Sequence, residues 1–298
     1  MPRVFALLCM LIVSLPAMAQ YAPANAEWNQ PVPPLRIADN LYYVGVKGVA
    51  SYLIVTPAGD ILLDTGYQET VPLVEASVRK LGFHVSDIHI LLSSHAHGDH
   101  AGGFRAMKEA THARLLASPG DAPLLERGGS NDFAFANRAR FPPVKVDALL
   151  EDGVPVRLGG VAMTPHFTPG HTKGCTTWTM DVHDRGQLRH VVFACSLSAP
   201  GYQVVNNPKY PGMLKDYKTS IATMRGLPCD IFLAAHPGQF GMDDKLARLK
   251  AHPEGPNPFV DPAGYKAYLD DSEADLNKMA AERSRKQSMR KPARAAGH

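Results

Sequence analysis

His95-Ala96-His97-Gly98-Asp99-His100 packs three imidazoles and a carboxylate into six residues. The run follows the apolar stretch Ile88, Ile90, Leu91 and Leu92, which reads as a buried strand. Polar groups at the C-terminal end of such a strand are where α/β sheets hold their sites. Crowded this closely, these side chains repel one another or go unsatisfied unless a cation sits among them. Alternate side chains of a short loop point to opposite sides, so one ion cannot take all four. The spacing therefore predicts two metals, with His95 and His97 on one and Asp99 and His100 on the other. The plain alternative is four polar residues in a solvated turn.

Working outward, short strands are predicted at Leu41 to Val46, Ser51 to Thr56 and Ile61 to Asp64, with a turn at Pro57-Ala58-Gly59-Asp60. Val71, Val74, Val78 and Leu81 recur at helical spacing, and Gly82 ends that helix. A second helix, from about Gly102 to Ala110, follows the metal run. The stretch Gly128 to Val146 reads as a long loop of the kind that serves function. Further strands are expected at Val154 to Leu158, Val161 to Phe167, Thr176 to Val182 and Arg189 to Ala194. Then come a helix marked by Leu214, Tyr217, Ile221 and Met224, and a strand from Ile231 to Ala234 that leads into His236.

A chain of 298 residues, 45% hydrophobic, is long enough for one large domain. Residues 1–19 read as a signal peptide: Arg3, the apolar run Val4 to Leu15, and the small-residue site Ala17-Met18-Ala19. That run is short for a membrane span, and Cys9 within it lacks the small residue of a lipoprotein signal. A mature chain beginning near Gln20 is expected in the bacterial periplasm. Removing Cys9 leaves Cys175, Cys195 and Cys229, so at most one bridge forms within the chain. Thr176 to Val182 and Arg189 to Ala194 flank the turn Asp184-Arg185-Gly186-Gln187, and a hairpin centred there brings Cys175 opposite Cys195. Two reduced, packed thiols are the alternative. Residues 283–298 carry six Lys/Arg and no Asp or Glu, so the rest of a chain of net charge +3 sums to −3. No aromatic residue interleaves with those charges, which excludes nucleic-acid binding, and the tail is expected to be solvated and frayed.

The H-x-H-x-D-H run after a hydrophobic strand resembles the metallo-β-lactamase superfamily. So do Leu62-Leu63-Asp64-Thr65-Gly66, Pro169-Gly170-His171-Thr172 and Ala235-His236-Pro237-Gly238, in that order along the chain. His100, as a metal-binding histidine within the run, and Ser196-Leu197-Ser198-Ala199-Pro200-Gly201-Tyr202 narrow the resemblance to subclass B3. The resemblance implies an α/β fold, a four-layer αββα sandwich over residues 20–282, with the site at the edge between two sheets. It implies two zinc ions (Zn2+) per chain. One would be held by His95, His97 and His171, the other by Asp99, His100 and His236. Asp64 would stand behind a ligand histidine and accept its other N–H, or else simply cap a turn. Relatives often bridge the counterpart of Cys229 to a later cysteine, which this chain lacks.

What the resemblance implies chemically is hydrolysis of β-lactam antibiotics (penicillins, cephalosporins, carbapenems) by water activated at the metals, in a monomer with no membrane partner. Asp99 would belong to the catalytic machinery. Ser196 and Ser198 would hold the substrate carboxylate, and Tyr202 would face the lactam carbonyl and help stabilise its oxyanion. Superfamily hydrolases acting on lactones, thioesters or phosphodiesters usually carry a metal-bridging aspartate where this chain has Ser196. Two alternatives stay open: a lactonase or thioesterase on the same fold, and a non-catalytic zinc-binding protein. The remaining histidines, His84, His89, His112, His166, His183, His190 and His252 among them, lack ligand partners at useful spacing and read as surface or core residues.

Overall fold

Side chains alternate across a strand, and in the central strands of this chain both sets are apolar, so a covering layer is needed on each side. Ile61, Leu62 and Leu63 are all buried, as are Tyr52, Leu53 and Ile54. Leu53, Leu62 and Leu91 join a cluster with Val74, Val78, Phe104 and Met107, which helices supply. Tyr52, Ile54, Ile61, Leu63 and Leu92 join a second cluster with Trp178, Met180 and Phe193, which a second sheet supplies.

The computed structural model describes residues 21–290, and the predicted signal peptide and the end of the tail lie outside the described residues. The first sheet has the order β1 (Leu35–Ala38), β2 (Leu41–Tyr43), β3 (Tyr52–Ile54), β4 (Asp60–Leu63), β5 (Ile88–Leu92), β6 (Arg114–Ala117) and β7 (Ala148–Leu149). Its first four strands form an antiparallel meander, and β4 to β7 run parallel. The helices between these strands are α1 (Val71–Lys80), α2 (Gly98–Ala101), α3 (Phe104–Thr111) and α4 (Ala122–Glu126). The second sheet contains β8 (Val156–Leu158), β9 (Val161–Phe167), β10 (Thr176–Asp184), β11 (Gln187–Ala194) and β12 (Ile231–Ala234). Helices α5 (Met213–Arg225), α6 (Met242–Ala251) and α7 (Pro262–Arg290) complete the chain. Tyr217, Ile221 and Met224 of α5 and Tyr265 and Leu269 of α7 join the core cluster that the second sheet shares. The expected αββα sandwich is the fold observed.

Several expectations need revision. The helix expected from about Gly102 is α3, and an additional short helix, α2, lies before it within the metal run, separated from it by the pair Gly102-Gly103. Strand β2 covers only Leu41–Tyr43; Val44 N–H still bonds the Ser51 carbonyl, and the chain turns between Val46 and Val49, where the Tyr43 hydroxyl donates to the Val46 carbonyl. Strand β1 and helices α4, α6 and α7 were not anticipated. Residues 283–290, read as frayed tail, continue α7. Among the described residues, no helix is long and apolar enough to cross a membrane.

The hairpin of β10 and β11 turns through Arg185 and Gly186, both at positive φ, with Asp184 paired to Gln187. This is the two-residue turn whose twist suits a hairpin. Cys175 and Cys195 form the expected disulfide, with Cα atoms 6.0 Å apart. The register differs from expectation by one residue. Trp178 pairs with Phe193, so continuing the ladder brings Cys195 opposite Thr176, and the bridge runs diagonally. Closing a loop with a sequence separation of 20 restrains the unfolded chain by about 3 kcal/mol. Replacing both cysteines by alanine should lower the urea-unfolding free energy by about that amount. Thiol titration of the unreduced, denatured mature parent should find Cys229 alone; three free thiols would refute the bridge.

Candidate metal centre

Six side chains converge where the C-terminal ends of β5 and β12 meet the loop between β9 and β10. His95 and His97 follow β5, and His97, in extended backbone, occupies the N-cap position of α2, which carries Asp99 and His100. That change of backbone, from extended to helical within the run, turns the second pair of ligands away from the first. The loop after β9 brings in His171, and His236 follows β12 directly.

The donor atoms fall into the two predicted triads. The ligand atoms of His95, His97 and His171 lie within 4.8 Å of one another, with His97 Nδ1 3.0 Å from His171 Nε2. In the second triad His100 Nε2 is 3.2 Å from His236 Nε2 and 3.4 Å from Asp99 Oδ2, and His236 Nε2 is 3.7 Å from Asp99 Oδ2. A tetrahedral ion with bonds of about 2.0–2.1 Å has ligand-to-ligand edges of roughly 3.3 Å, so both sets suit zinc. The opposite ring nitrogens are anchored. His171 Nδ1 lies 2.7 Å from the Ser198 carbonyl and His236 Nδ1 2.8 Å from the Gly48 carbonyl. A carbonyl only accepts, so each Nδ1 carries the proton and each Nε2 presents a lone pair. His95 Nε2 is buried with no partner among the described residues, an orphan that a cation would satisfy.

Electrostatics agree with this fit. Burial, then the neighbouring imidazoles, hold His95 and His171 well below the ordinary histidine range, and His97 is lowered to about 4. These are the neutral rings that metals bind. His236 is lowered as well, by burial and by His100. His100 goes the other way: burial lowers it, but Asp99 and Asp64 outweigh burial and raise it to about 10. Burial also opposes charge on Asp99, yet His100 and its neighbours hold that carboxyl well below the carboxylate range. The carboxylates of buried Asp64 and partly exposed Asp99 together favour positive charge at this spot.

Asp64 occupies the predicted position behind a ligand. It accepts the Ser94 N–H at 2.7 Å, accepts the Ser94 hydroxyl, and lies 3.3 Å from His100 Nδ1. Its backbone is left-handed, φ 58°, a conformation that asparagine and aspartate tolerate best among side-chain-bearing residues and that clusters at functional sites.

Above the triads lies a groove of about 890 Å³, walled by Trp28, Phe135, Ser198 and Pro200. Phe135 comes from the long loop singled out in the sequence, and its ring centroid is 5.0 Å from that of His97. Trp28 meets His236 edge-on at 5.2 Å. Gly48 permits this, since a Cβ there would fall 2.5 Å from Trp28 Cβ.

Two predicted substrate contacts need correction. Tyr202 is only 4% exposed, and its hydroxyl donates to the His171 carbonyl at 3.3 Å, so it supports the ligand loop instead of facing the substrate. Burial and nearby carboxylates keep its proton in place. Ser196 is 0% exposed, beneath the groove; Ser198, 2.9 Å away between hydroxyl oxygens, is the serine at the surface.

Sequence reasoning missed Asp121 and Gln239. Buried Asp121 accepts Ala96 N–H at 2.8 Å, Thr172 Oγ1–H at 2.7 Å and Gly174 N–H at 2.9 Å, tying the His95 loop to the His171 loop. Burial, partly offset by these hydrogen bonds, pushes its carboxyl up to about 6. Gln239 links His236 to Ser196. The hint for Gln239 was its nearness to His236; Asp121 had none, because two of its three partners are backbone amides.

The chain as a whole is similar to known proteins. FEZ-1 metallo-beta-lactamase from Legionella gormanii is 44% identical, with 86% of this chain and 98% of that one covered and a TM-score of 0.83. BJP-1, a subclass B3 metallo-beta-lactamase of Bradyrhizobium japonicum, is 37% identical over 88% of this chain and 98% of its own, with a TM-score of 0.82. A curated hydroxyacylglutathione hydrolase of Rhodopseudomonas palustris is 30% identical over 182 residues, which span 61% of this chain and 59% of that protein. The family model for the metallo-beta-lactamase superfamily matches residues 44–236. That span runs from the strands bearing Asp64 to His236 and takes in all six candidate ligands: the chain belongs to the metallo-beta-lactamase superfamily.

Proposed function

We propose that this protein is an exported, zinc-dependent β-lactamase of the B3 kind, binding two zinc ions. The observation that carries the reading is Ser196 at the end of β11, where thioester- and lactone-cleaving members of the superfamily usually place a bridging aspartate. Here a neutral hydroxyl lies against Ser198 and Gln239, 2.9 and 3.3 Å away. Near-complete overlap with solved metallo-beta-lactamases supports the same reading. Arg3, the apolar run Val4 to Leu15 and Ala17-Met18-Ala19 support export to the periplasm. So does the Cys175–Cys195 bridge, which an oxidising compartment preserves.

The chemistry that zinc supplies at such a pair of triads is Lewis-acid activation of water and of a carbonyl near neutral pH. The chain does the rest. Carbonyls of Ser198 and Gly48 fix the tautomers of His171 and His236, so the donor nitrogens need no rearrangement. Trp28 and Phe135 offer apolar walls to the body of the substrate and keep bulk water off the floor of the groove. Ser198 donates its hydroxyl to the carboxylate that β-lactam drugs carry beside the ring.

Ser198→Ala should therefore raise KM for a carboxylate-bearing carbapenem about tenfold to a hundredfold, the worth of a hydrogen bond to a charged group. Its effect on kcat should be smaller, since that bond is present before and during the chemistry. Equal losses on a simple lactone would mean that Ser198 acts on structure instead.

A second reading, a thioester hydrolase, is favoured by the likeness to hydroxyacylglutathione hydrolases. Purified protein assayed on a chromogenic cephalosporin and on an acyl-glutathione thioester, with and without chelator, separates the two. Chelator-sensitive cephalosporin turnover is expected; turnover of the thioester alone would reverse the assignment.

A further inference from the structure

Hydrogen-bond directions around Ser198 can be worked out from groups that only donate or only accept. The His236 backbone N–H reaches Gln239 Oε1 at 3.3 Å, and an N–H cannot accept, so the Gln239 amide is oriented with its oxygen toward His236. Its NH2 then faces Ser196 Oγ, 3.3 Å away, and donates to it. The Ser198 backbone N–H donates to the same oxygen, also at 3.3 Å. Two donors fill both lone pairs of the Ser196 hydroxyl. Its own hydrogen must go to Ser198 Oγ at 2.9 Å, its remaining neighbour. Ser198, having accepted there, has its hydrogen free for the groove that it lines.

We propose that Gln239 is a positioning residue for substrate recognition: through Ser196 it sets the polarity of the Ser198 hydroxyl, so that the groove presents a donor to a carboxylate. This rests on the β-lactamase reading and extends it to a residue that does not itself touch the carboxylate. The chain of bonds is directional, and the direction follows from the amide. A glutamate has the same shape but only accepts. In Gln239→Glu, one carboxylate oxygen keeps the His236 N–H and the other draws the Ser196 hydrogen toward itself. Ser196 then has a lone pair open, the Ser198 hydroxyl turns inward to fill it, and the groove meets lone pairs where it met a proton.

The test measures KM and kcat for one cephalosporin and its methyl ester with the parent, Gln239→Glu, Ser196→Ala and the double variant, all loaded with zinc. Gln239→Glu should raise KM for the free acid about tenfold to a hundredfold, with kcat changed less than about threefold. The ester, which lacks the anion, should show little change. In the Ser196→Ala background the same substitution should have less than about threefold effect, because the link that transmits the polarity is gone. An equal rise in both backgrounds would overturn the proposal, since added negative charge alone would account for it. Gln239→Met, which adds no charge, should show an intermediate rise and serves if the glutamate variant fails to fold; no rise there would also overturn it. A parent that turns over neither cephalosporin would instead sink the β-lactamase reading.

Discussion

Asp99→Ala should cut kcat/KM at least about a hundredfold, more than the 10–100-fold typical of groups that merely support a ligand, while the chain stays folded. Asp99 is the one anionic donor of its triad, lying 3.4 Å from His100 Nε2 and 3.7 Å from His236 Nε2. His95, His97 and His171 remain a complete set without it. Elemental analysis of dialysed protein should therefore give two zinc ions per parent chain and one per variant chain. A fully active parent holding a single zinc would overturn the two-ion reading, and an Asp99→Ala protein with parental activity would remove Asp99 from the machinery.

Asp121→Ala should have the largest effect on stability. The carboxylate accepts from three donors in the interior, and the substitution strands Ala96 N–H, Gly174 N–H and the Thr172 hydroxyl. An unsatisfied buried donor costs about 1–3 kcal/mol, so a total loss of about 3 kcal/mol or more is expected in urea unfolding. Zinc affinity should fall roughly 10–100-fold as well, because Asp121 ties together the loops that carry His95 and His171. A pH series adds a second check. The Asp121 carboxyl stands at about 6 in the fold against an ordinary 3.8. Between those values the native state binds more protons than the unfolded chain, so this group's contribution to stability declines as pH rises through the window. Asp121→Asn should lose that component of the slope; an unchanged profile would show that Asp121 does not titrate there.

The six candidate ligands were legible because they lie just past the apolar strands β5 and β12 or, for His171, after Pro169-Gly170, and strands declare themselves by composition. Asp64 was legible for the same reason, as the polar end of Ile61, Leu62 and Leu63. The Cys175–Cys195 bridge followed from hairpin symmetry, though a register one residue away from that estimate made it diagonal. What escaped was direction. Tyr202 lies in the right neighbourhood, but whether its hydroxyl meets substrate or the His171 carbonyl depends on how the loop's backbone turns. Ser196 and Ser198 are two residues apart and one is buried while the other lines the groove, a difference that composition does not carry. Helix α7 escaped because its buried stripe, Tyr265, Leu269 and Leu276, is thin along a segment otherwise rich in charge.

Each triad draws two ligands from the loop after β5 and one from the second sheet, His171 in one case and His236 in the other. A cation bound in either triad would thus be a rivet between the two halves of the sandwich, and with both triads filled the halves could not slide apart without losing both ions. Binding that exists only in the riveted state shifts the unfolding equilibrium by mass action. Every tenfold rise in free zinc beyond saturation adds about 1.4 kcal/mol per ion. With zinc in both triads, as proposed, the zinc supply of its surroundings would for this protein also be a setting of its thermal endurance.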